Sequence, residues 1–252
     1  MKLEDLIGKI TCADCLDILK QLPDKCIDLV LTDPPYNASN SKISCADKHY
    51  STLNEDWDKG FVAKDFLDLC YDKLKDNGSM IVFCSFEQIP TLIKAAEKHG
   101  FVHNIPLIFV KNYSPQVLKA NMRVVGATEY AILFYRSYLP KFRNDGKMIF
   151  NWFEWERDGK DIPKIHPAQK SVKVLKKLIE TFTDPGDVVI DPCFGSGTTA
   201  RACQELGRNF YGFEINKEFV KRAREEMLLS DESDAVGQNQ TQSDRRWRHR
   251  HK

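Results

Sequence analysis

Residues 188–200 are Val188-Val189-Ile190-Asp191-Pro192-Cys193-Phe194-Gly195-Ser196-Gly197-Thr198-Thr199-Ala200, and this stretch decides the fold of the chain. Its first three residues form an apolar run of strand length, and residues 198–206 carry a helical pattern that Gly207 ends. Gly195 and Gly197 fall between the two, where backbone without a Cβ can approach a ligand closely. A strand, a glycine turn and a helix start together predict a site for a nucleoside-type cofactor.

The charge of this stretch separates two classes of cofactor. Gly195-x-Gly197-x-x-Ala200 also matches the dinucleotide fingerprint, so an NAD-dependent dehydrogenase is one interpretation. A pyrophosphate prefers a helix N-terminus without a nearby anion, and Asp191 would repel it. Asp191 would instead attract the ammonium of a methionine moiety, whose sulfonium is also positive. Glu214 follows a second predicted strand, where it could accept both hydroxyls of a ribose.

Apolar periodicity predicts alternating strands and helices along most of the chain. Strands are predicted at 10–12, 27–31, 80–84, 105–110, 130–135, 188–190 and 210–213, and helices around 16–22, 66–74, 89–96, 171–182, 198–206 and 219–227. Asn77-Gly78 is expected to end the second helix, and Ser171 and Asn216 to cap two later ones. This alternation predicts an α/β fold with a doubly wound parallel sheet, in which one edge can be antiparallel.

A second motif, Asp33-Pro34-Pro35-Tyr36, follows the apolar strand 27–31, which its prolines must end. Few elements follow residue 213, so the missing strands of the sheet must come from the start of the chain. Strand 10–12 then lies third, with Asp14 at its tip to accept from an adenine amino group, and strand 27–31 lies fourth. Asp33 thereby falls at the topological switch point, where ligands bind in such sheets. The sequence predicts a circularly permuted sheet with both motifs across one crevice.

These two motifs, in this order, resemble those of the β group of DNA amino-methyltransferases, which use S-adenosylmethionine to methylate adenine N6 or cytosine N4. The resemblance covers most of residues 9–229 and implies a Rossmann-like methyltransferase sheet. His166-Pro167-Ala168-Gln169-Lys170 resembles the family's His-Pro-Thr-Gln-Lys-Pro stretch, which flanks the methionine end of the cofactor, but Ala168 and Ser171 depart from it. The implied cofactor-binding residues are Asp14, Cys15, His166, Gln169, Lys170, Asp191, Pro192, Phe194, Gly195, Ser196, Gly197, Thr198, Thr199 and Glu214.

The implied catalytic residues are Asp33, Pro34, Pro35 and Tyr36. An exocyclic base amine is a poor nucleophile, so a catalyst must favour the pyramidal nitrogen that forms as the methyl group moves. The Asp33 carboxylate and the Pro34 carbonyl can each accept one N–H, the prolines fix the turn, and Tyr36 can stack on a flipped base. No metal is required. Asp at position 33 favours adenine N6, and cytosine N4 stays an alternative.

Residues 112–165 fall where the family carries its target-recognition segment. Candidate DNA contacts there and just before it are Lys111, Asn112, Lys119, Arg123 and Arg143. The polar stretch 37–60 is expected to close over the flipped base. The chain thus divides into one methyltransferase domain, 1–229, and a disordered basic tail, 230–252. Within the domain, a catalytic half (9–111) and a cofactor-binding half (166–229) flank the target-recognition segment, at about 112–165.

Composition neither supports nor excludes a nucleic-acid partner. The net charge is +1, and residues 1–229 carry 32 charges of each sign, so DNA affinity must come from local patches. Cys12-Ala13-Asp14-Cys15 has the spacing of half a zinc site, but no second half follows, which favours free thiols and no metal.

No apolar run or leader pattern indicates a membrane or secretion, so a cytoplasmic protein is expected. Double-stranded DNA is the implied partner, and a homodimer and a cognate restriction endonuclease are allowed. A catalytically silent DNA-binding protein stays a second alternative to the enzyme.

Overall fold

The computed structural model describes residues 3–35, 63–113, 124–136, 138–166 and 168–229. Eight strands form one sheet: β1 (Lys9–Cys12), β2 (Ile27–Thr32), β3 (Leu74–Cys84), β4 (His103–Val110), β5 (Thr128–Tyr135), β6 (Trp152–Glu154), β7 (Val188–Asp191) and β8 (Asn209–Glu214). Six α-helices accompany it: α1 (Cys15–Leu19), α2 (Ala63–Lys73), α3 (Ile89–Lys98), α4 (Val172–Phe182), α5 (Thr198–Leu206) and α6 (Lys217–Arg222). Short 3₁₀ turns lie at Leu3–Asp5 and Phe86–Gln88, and a π-helical turn at Ala223–Met227 follows α6.

The strands lie in the order β1-β8-β7-β2-β3-β5-β4-β6. Neighbouring strands from β1 to β3 are parallel, as predicted for an α/β fold. The reversed strand is β5, which is antiparallel to both β3 and β4 and so lies inside the sheet rather than at its edge. The outermost strand on that side, β6, is again parallel to β4.

Strand β7 lies between β8 and β2, which is the arrangement that the order of motifs predicted. The chain leaves β7 toward α5 and leaves β2 toward the Asp33 turn, so the two motifs follow the carboxyl ends of adjacent parallel strands. Such a point in an open α/β sheet is where ligands bind. Whether this strand order is a circular permutation depends on a comparison with the chain order of other proteins, so the permutation stays a prediction.

Both faces of the sheet are covered by helices. On one face Leu29, Leu31 and Phe83 pack in a core with residues of α4 and α5. On the other, Val30 and Met80 pack with residues of α1, α2 and α3. Successive residues of β2 therefore enter opposite cores, which explains why its central residues, Leu29, Val30 and Leu31, are all apolar rather than alternating.

The predicted end of the second helix was wrong. Helix α2 ends at Lys73, and the strand β3 begins at once, so Asn77-Gly78 lies inside a strand. Ile27 pairs with Leu74 but Leu29 pairs with Ser79, so β3 bulges between these two pairs. A Cβ on Gly78 would lie 3.0 Å from a methyl carbon of Leu74, and a bulge packed this tightly favours glycine.

The predicted capping of α4 by the Ser171 side chain was also wrong. Ser171 occupies the N-cap position, but its hydroxyl donates to the Asp158 carboxylate at 2.9 Å. The same carboxylate accepts from the backbone N–H groups of Val172 and Lys173. An anion from the preceding loop thus satisfies the helix N-terminus, where it also interacts favourably with the helix dipole.

Some predictions fall outside the described residues: the 37–60 loop, Tyr36, Pro167, Lys119, Arg123 and the tail 230–252. Among the helices that the structure does describe, none combines the length and the apolar character needed to cross a bilayer. The cysteines in those same ranges are all free thiols.

Candidate active site

A cavity of about 370 Å³ opens at the carboxyl ends of β1, β2, β7 and β8. Residues of both sequence motifs line it, and so do residues from the loop before α4. Most of the predicted site residues are in its wall: Asp14, Cys15, Asp33, Pro35, His166, Gln169, Lys170, Asp191, Pro192, Phe194, Gly195, Ser196, Thr198, Thr199 and Glu214. The distant motifs therefore share one cleft.

The catalytic motif begins immediately where β2 ends. Asp33 follows Thr32, the last residue of the strand, and its carboxylate faces the cavity. Pro34 is buried and lies behind the wall, while Pro35 lines the cavity. Asp33 and the two prolines thus follow the end of β2, which lies beside β7 in the sheet.

Asp191 is the buried acid of the cavity, 5% exposed at the end of β7. Its carboxylate accepts from the hydroxyl of Thr199 at 2.6 Å and from the backbone N–H of Cys193 at 3.2 Å. Burial raises the pKa of Asp191 to about 7, although the hydrogen bonds from Thr199 and Cys193 act in the opposite direction. A positive ligand group beside this carboxylate would favour its ionised form.

Glu214, at the end of β8, is oriented by two backbone groups. One carboxylate oxygen accepts from the Gly195 N–H at 2.8 Å, and the other accepts from the Asn216 N–H at 2.8 Å. The side chain therefore ties the glycine turn after β7 to the turn after β8. Each oxygen keeps a second lone pair, so the carboxylate can still accept hydroxyl donors from a ligand.

Asp14 and Cys15 lie where β1 leads into α1. The Asp14 carboxylate caps α1 by accepting from the Leu16 N–H at 2.8 Å, and it also lines the cavity. Cys15 is buried opposite Cys193, and the interaction with Cys15 together with burial raises the pKa of the Cys193 thiol. Both cysteines line the cavity.

The loop before α4 holds its own shape through the predicted polar residues. The Gln169 amide accepts from the Ile165 N–H and donates to the Pro163 carbonyl, both at 2.9 Å. His166 Nδ1 accepts from the Ala168 N–H at 3.1 Å. Both side chains line the cavity, and these bonds fix the loop that presents them.

Lys170 makes a contact that sequence reasoning missed. Its ammonium lies 2.5 Å from Oδ2 of Asp33 and 3.4 Å from Oε2 of Glu129, a residue of β5. Lys111 donates to the other oxygen of Glu129. Burial opposes the charge on Lys170, yet Asp33 and Glu129 raise its pKa overall, and the two lysines lower the pKa of Glu129 despite its burial. Along the chain, Lys170 lies 41 residues from Glu129 and 137 residues from Asp33, so no local pattern indicates these contacts.

Other wall residues were also missed. They are mostly apolar: Ala13, Leu16, Leu31, Phe83, Leu175, Phe213, Ile215 and Phe219. Residues of this kind carry no chemical signature in a sequence and are found only once strand ends are placed together.

The predicted DNA contacts lie in different places. Lys111 is 12% exposed and engaged with Glu129, whereas Asn112 is exposed. Arg143 donates to Asp184 in the loop before β7. That loop lies at the amino end of β7, whereas the cavity lies at the carboxyl ends of the strands. The position of Arg143 therefore does not favour a contact near the target base.

No cluster of three or more potential metal ligands occurs in the parts of the chain that the structure describes. Four carboxylates, from Asp14, Asp33, Asp191 and Glu214, line the cavity. This donor set suits a ligand that carries positive charge, hydroxyls and an amino group, and not a pyrophosphate.

Comparisons with known proteins agree on one family. The family model described as DNA methylase matches residues 27–225. The chain is 28% identical to the DNA adenine methyltransferase YhdJ of Escherichia coli (strain K12), over 82% of this chain and 78% of that protein. It is 28% identical to the type II methyltransferase M2.DpnII of Streptococcus pneumoniae, over 88% of this chain and 90% of that protein. The crystal structure of the M1.HpyAVI-SAM complex has a TM-score of 0.68 and 28% identity, covering 91% of this chain and 100% of that one.

Proposed function

We propose, from the premise that this chain belongs to the DNA methylase family, that it transfers a methyl group from S-adenosylmethionine to adenine N6 in DNA. Membership of that family makes the dehydrogenase interpretation wrong. The chain is a DNA methyltransferase that uses S-adenosylmethionine, and the choice of adenine is the part that we add. The carboxylate at position 33 and the adenine-specific relative support that choice.

One observation carries the proposal. Asp33 follows the last residue of β2, Asp191 ends the adjacent parallel strand β7, and both residues line the same cavity. A methyl donor held near Asp191 would therefore lie next to an amine held near Asp33. Methyl transfer is an in-line displacement, which requires nucleophile, methyl carbon and sulfur to be aligned at close range. Adjacent strand ends supply such a site without any large rearrangement.

The cofactor half of the cavity suits S-adenosylmethionine by its chemistry. Asp191 would hold the positive methionine end, Glu214 the ribose hydroxyls, and Asp14 the adenine amino group. When bound, the cofactor supplies an electrophilic methyl group on a sulfonium. Phe194 and Gly195 line the cavity, and a Cβ placed on Gly195 would have no atom within 4 Å, so the turn is open to a ligand at that residue.

The target half would act on the exocyclic amine through hydrogen-bond acceptors. The Asp33 carboxylate would accept one N–H, which helps to point the nitrogen lone pair at the methyl group. The predicted role of the Pro34 carbonyl as second acceptor is not favoured, since Pro34 does not line the cavity. Positive charge develops on the nitrogen as the bond forms, and a fixed carboxylate stabilises it more strongly in the transition state than before. Tyr36 would stack on the base, which must leave the duplex to enter the cavity.

DNA contacts would come from the segment after β4. Asn112 is exposed there, and Lys119 and Arg123 belong to the same stretch of sequence. We place the enzyme in the cytoplasm with its DNA, and a homodimer and a partner endonuclease remain predictions without support in the described residues.

Labelled methyl transfer tests the proposal. Purified chain, S-adenosylmethionine with a labelled methyl group and double-stranded DNA are incubated, and the DNA is digested to nucleosides. We expect the label in N6-methyl-2′-deoxyadenosine. Label in N4-methylcytosine would overturn the choice of base, and cofactor and DNA binding without any transfer would mean a catalytically silent protein.

A further inference from the structure

We propose that Lys170 and Glu129 are positioning residues for methyl transfer, which hold the Asp33 carboxylate in a fixed orientation toward the target amine. The inference rests on the proposed function, since it gives Asp33 its role as acceptor of the amine. It adds a residue from β5, outside both sequence motifs, to the machinery of the site.

The three side chains come together from separate elements. Asp33 follows β2, Glu129 belongs to β5, and Lys170 precedes α4. The Lys170 side chain is 9% exposed, and its ammonium lies 2.5 Å from Asp33 Oδ2 and 3.4 Å from Glu129 Oε2. It also lies 5.1 Å from the centre of the Phe83 ring, which lines the cavity. The lysine is therefore enclosed between two carboxylates and an aromatic wall.

The charges of this cluster balance. Asp33 and Glu129 are matched by Lys170 and by Lys111, which donates to Glu129 and stacks 4.8 Å from the Trp155 ring centre. A buried ion pair is costly unless each member keeps its partner, because an unpaired charge in a low-dielectric site loses its hydration. Lys170 therefore has a carboxylate partner on each of two elements, Asp33 after β2 and Glu129 in β5.

The surroundings of Asp33 make such a cation necessary. Asp191 lies close enough for its carboxylate to repel that of Asp33, and the Cys84 thiol also faces Asp33. The ammonium of Lys170, 2.5 Å from Asp33 Oδ2, offsets this repulsion and keeps the Asp33 side chain in place.

The pairing also sets the orientation of the carboxylate. Lys170 engages Oδ2, which fixes the plane of the group relative to the end of β2. A carboxylate has about four acceptor positions, so one ammonium leaves capacity for an amino N–H. A misplacement of about 1 Å at a reacting group can lower a rate roughly 10²-fold, which is the scale of effect expected here.

The test compares Lys170→Met, Lys170→Arg and Glu129→Gln with the matched control Lys176→Met. Lys176 also pairs with a carboxylate, that of Glu205 at 2.9 Å, but lies on α4 away from the cavity. Single-turnover transfer to DNA is measured at saturating cofactor, from pH 5.5 to pH 9, together with the cofactor dissociation constant.

We expect Lys170→Met to lower the transfer rate about 10²-fold, with the cofactor dissociation constant changed much less. The loss should appear in the transfer rate across the whole pH range, because Asp33 loses the group that fixes its orientation. Glu129→Gln should have the same effects in weaker form, Lys170→Arg should recover most of the rate, and Lys176→Met should match the unmodified chain. Should Lys170→Met fail to fold by circular dichroism, Glu129→Gln decides.

Two outcomes would overturn the inference alone: an active unmodified chain whose Lys170→Met and Glu129→Gln variants keep its rate and pH profile, or a loss of cofactor affinity that parallels the loss of rate. The second would make Lys170 a cofactor ligand. An unmodified chain that transfers no methyl group to DNA would overturn the proposed function and this inference with it.

Discussion

The ring of Phe194, which lines the cavity, lies directly against the backbone of Gly212 in β8. A Cβ at position 212 would overlap three carbon atoms of the ring. The backbone of the two elements is joined at the same place, since the Phe194 N–H donates to the Phe213 carbonyl at 2.8 Å. Glycine at 212 is therefore what allows the ring to form the cavity wall.

Gly212→Ala should weaken cofactor binding and destabilise the fold together. The added methyl group must displace the Phe194 ring, and overpacking of a buried site costs about 1–3 kcal/mol. Thermal unfolding and calorimetric titration with S-adenosylmethionine measure the two effects. Gly126→Ala is the matched control, because a Cβ there meets open space. Equal behaviour of the two variants would mean that the Phe194 ring moves without consequence.

Asp33→Ala should abolish transfer while leaving cofactor binding nearly intact. The Asp33 carboxylate is proposed to act on the target amine, and loss of one group that stabilises transition-state charge lowers a rate roughly 10²–10³-fold. Single-turnover transfer and the cofactor dissociation constant separate the two roles. Asp184→Ala serves as control, since Asp184 pairs with Arg143 at the amino end of β7, away from the cavity. A parallel loss of transfer and cofactor affinity would identify Asp33 mainly as a cofactor ligand.

Local features of this fold could be predicted from the sequence because short-range forces decide them. Helix α5 spans residues 198–206 as predicted, and Gly207 ends it with a φ of 66° that suits glycine. Asn216 caps α6 with its side chain, also as predicted. The placement of Asp33 beside Asp191 followed from strand order and chain direction, which local periodicity and topology rules constrain strongly.

The features that could not be predicted depend on contacts between distant residues. Asp158, not Ser171, caps α4, because a loop brings a stronger acceptor to the helix N-terminus. Gly78 signals a helix end by composition but occupies a bulge of β3 packed against β2. Glu129 joins the site only because β5 inserts beside β3, and no spacing along the chain indicates that position.

Asp28→Asn should destabilise the chain strongly although the residue is far from the chemistry. Asp28, the second residue of β2, is 2% exposed, and its carboxylate accepts from Lys75 at 2.8 Å, Lys141 at 3.2 Å and the Val188 N–H at 3.0 Å. Breaking a buried ion pair costs 3–5 kcal/mol, and the solvent access of Lys75 lowers the expected loss to about 2–3 kcal/mol. Denaturant unfolding measures it.

Asp76→Asn is the control for Asp28. Asp76 pairs with Lys25 at 3.0 Å on the surface, where each side chain is at least half exposed. Exposed pairs contribute about 0–1 kcal/mol, so this variant should unfold nearly as the unmodified chain does. Similar losses for both variants would show that burial of Asp28 adds nothing to its ion pairs.

Cofactor affinity should increase as pH rises through about 7, because the pKa of Asp191 is raised to about 7 by burial. A cationic methionine group favours the ionised carboxylate, so below that pH binding must first remove a proton. The dissociation constant should then increase by up to about tenfold per pH unit on the acid side and level off above it. Calorimetric titrations at pH 5.5, 6.5 and 8 in buffers of different ionisation enthalpy measure both affinity and proton release.

Without cofactor, the contribution of Asp191 to the unfolding free energy changes with pH in the opposite direction to cofactor affinity, which provides an internal check. Without cofactor the folded chain holds the Asp191 proton more tightly than the unfolded chain does, so the contribution of Asp191 to the unfolding free energy falls as pH rises from 3.8 to about 7. Cofactor binding should therefore stabilise the chain most above that range. Asp191→Asn removes the titrating group and should flatten both pH dependences while weakening binding at pH 8. A cofactor affinity that is independent of pH in the unmodified chain would mean that Asp191 serves the glycine turn, through Thr199 and Cys193, and not the charge of the methyl donor.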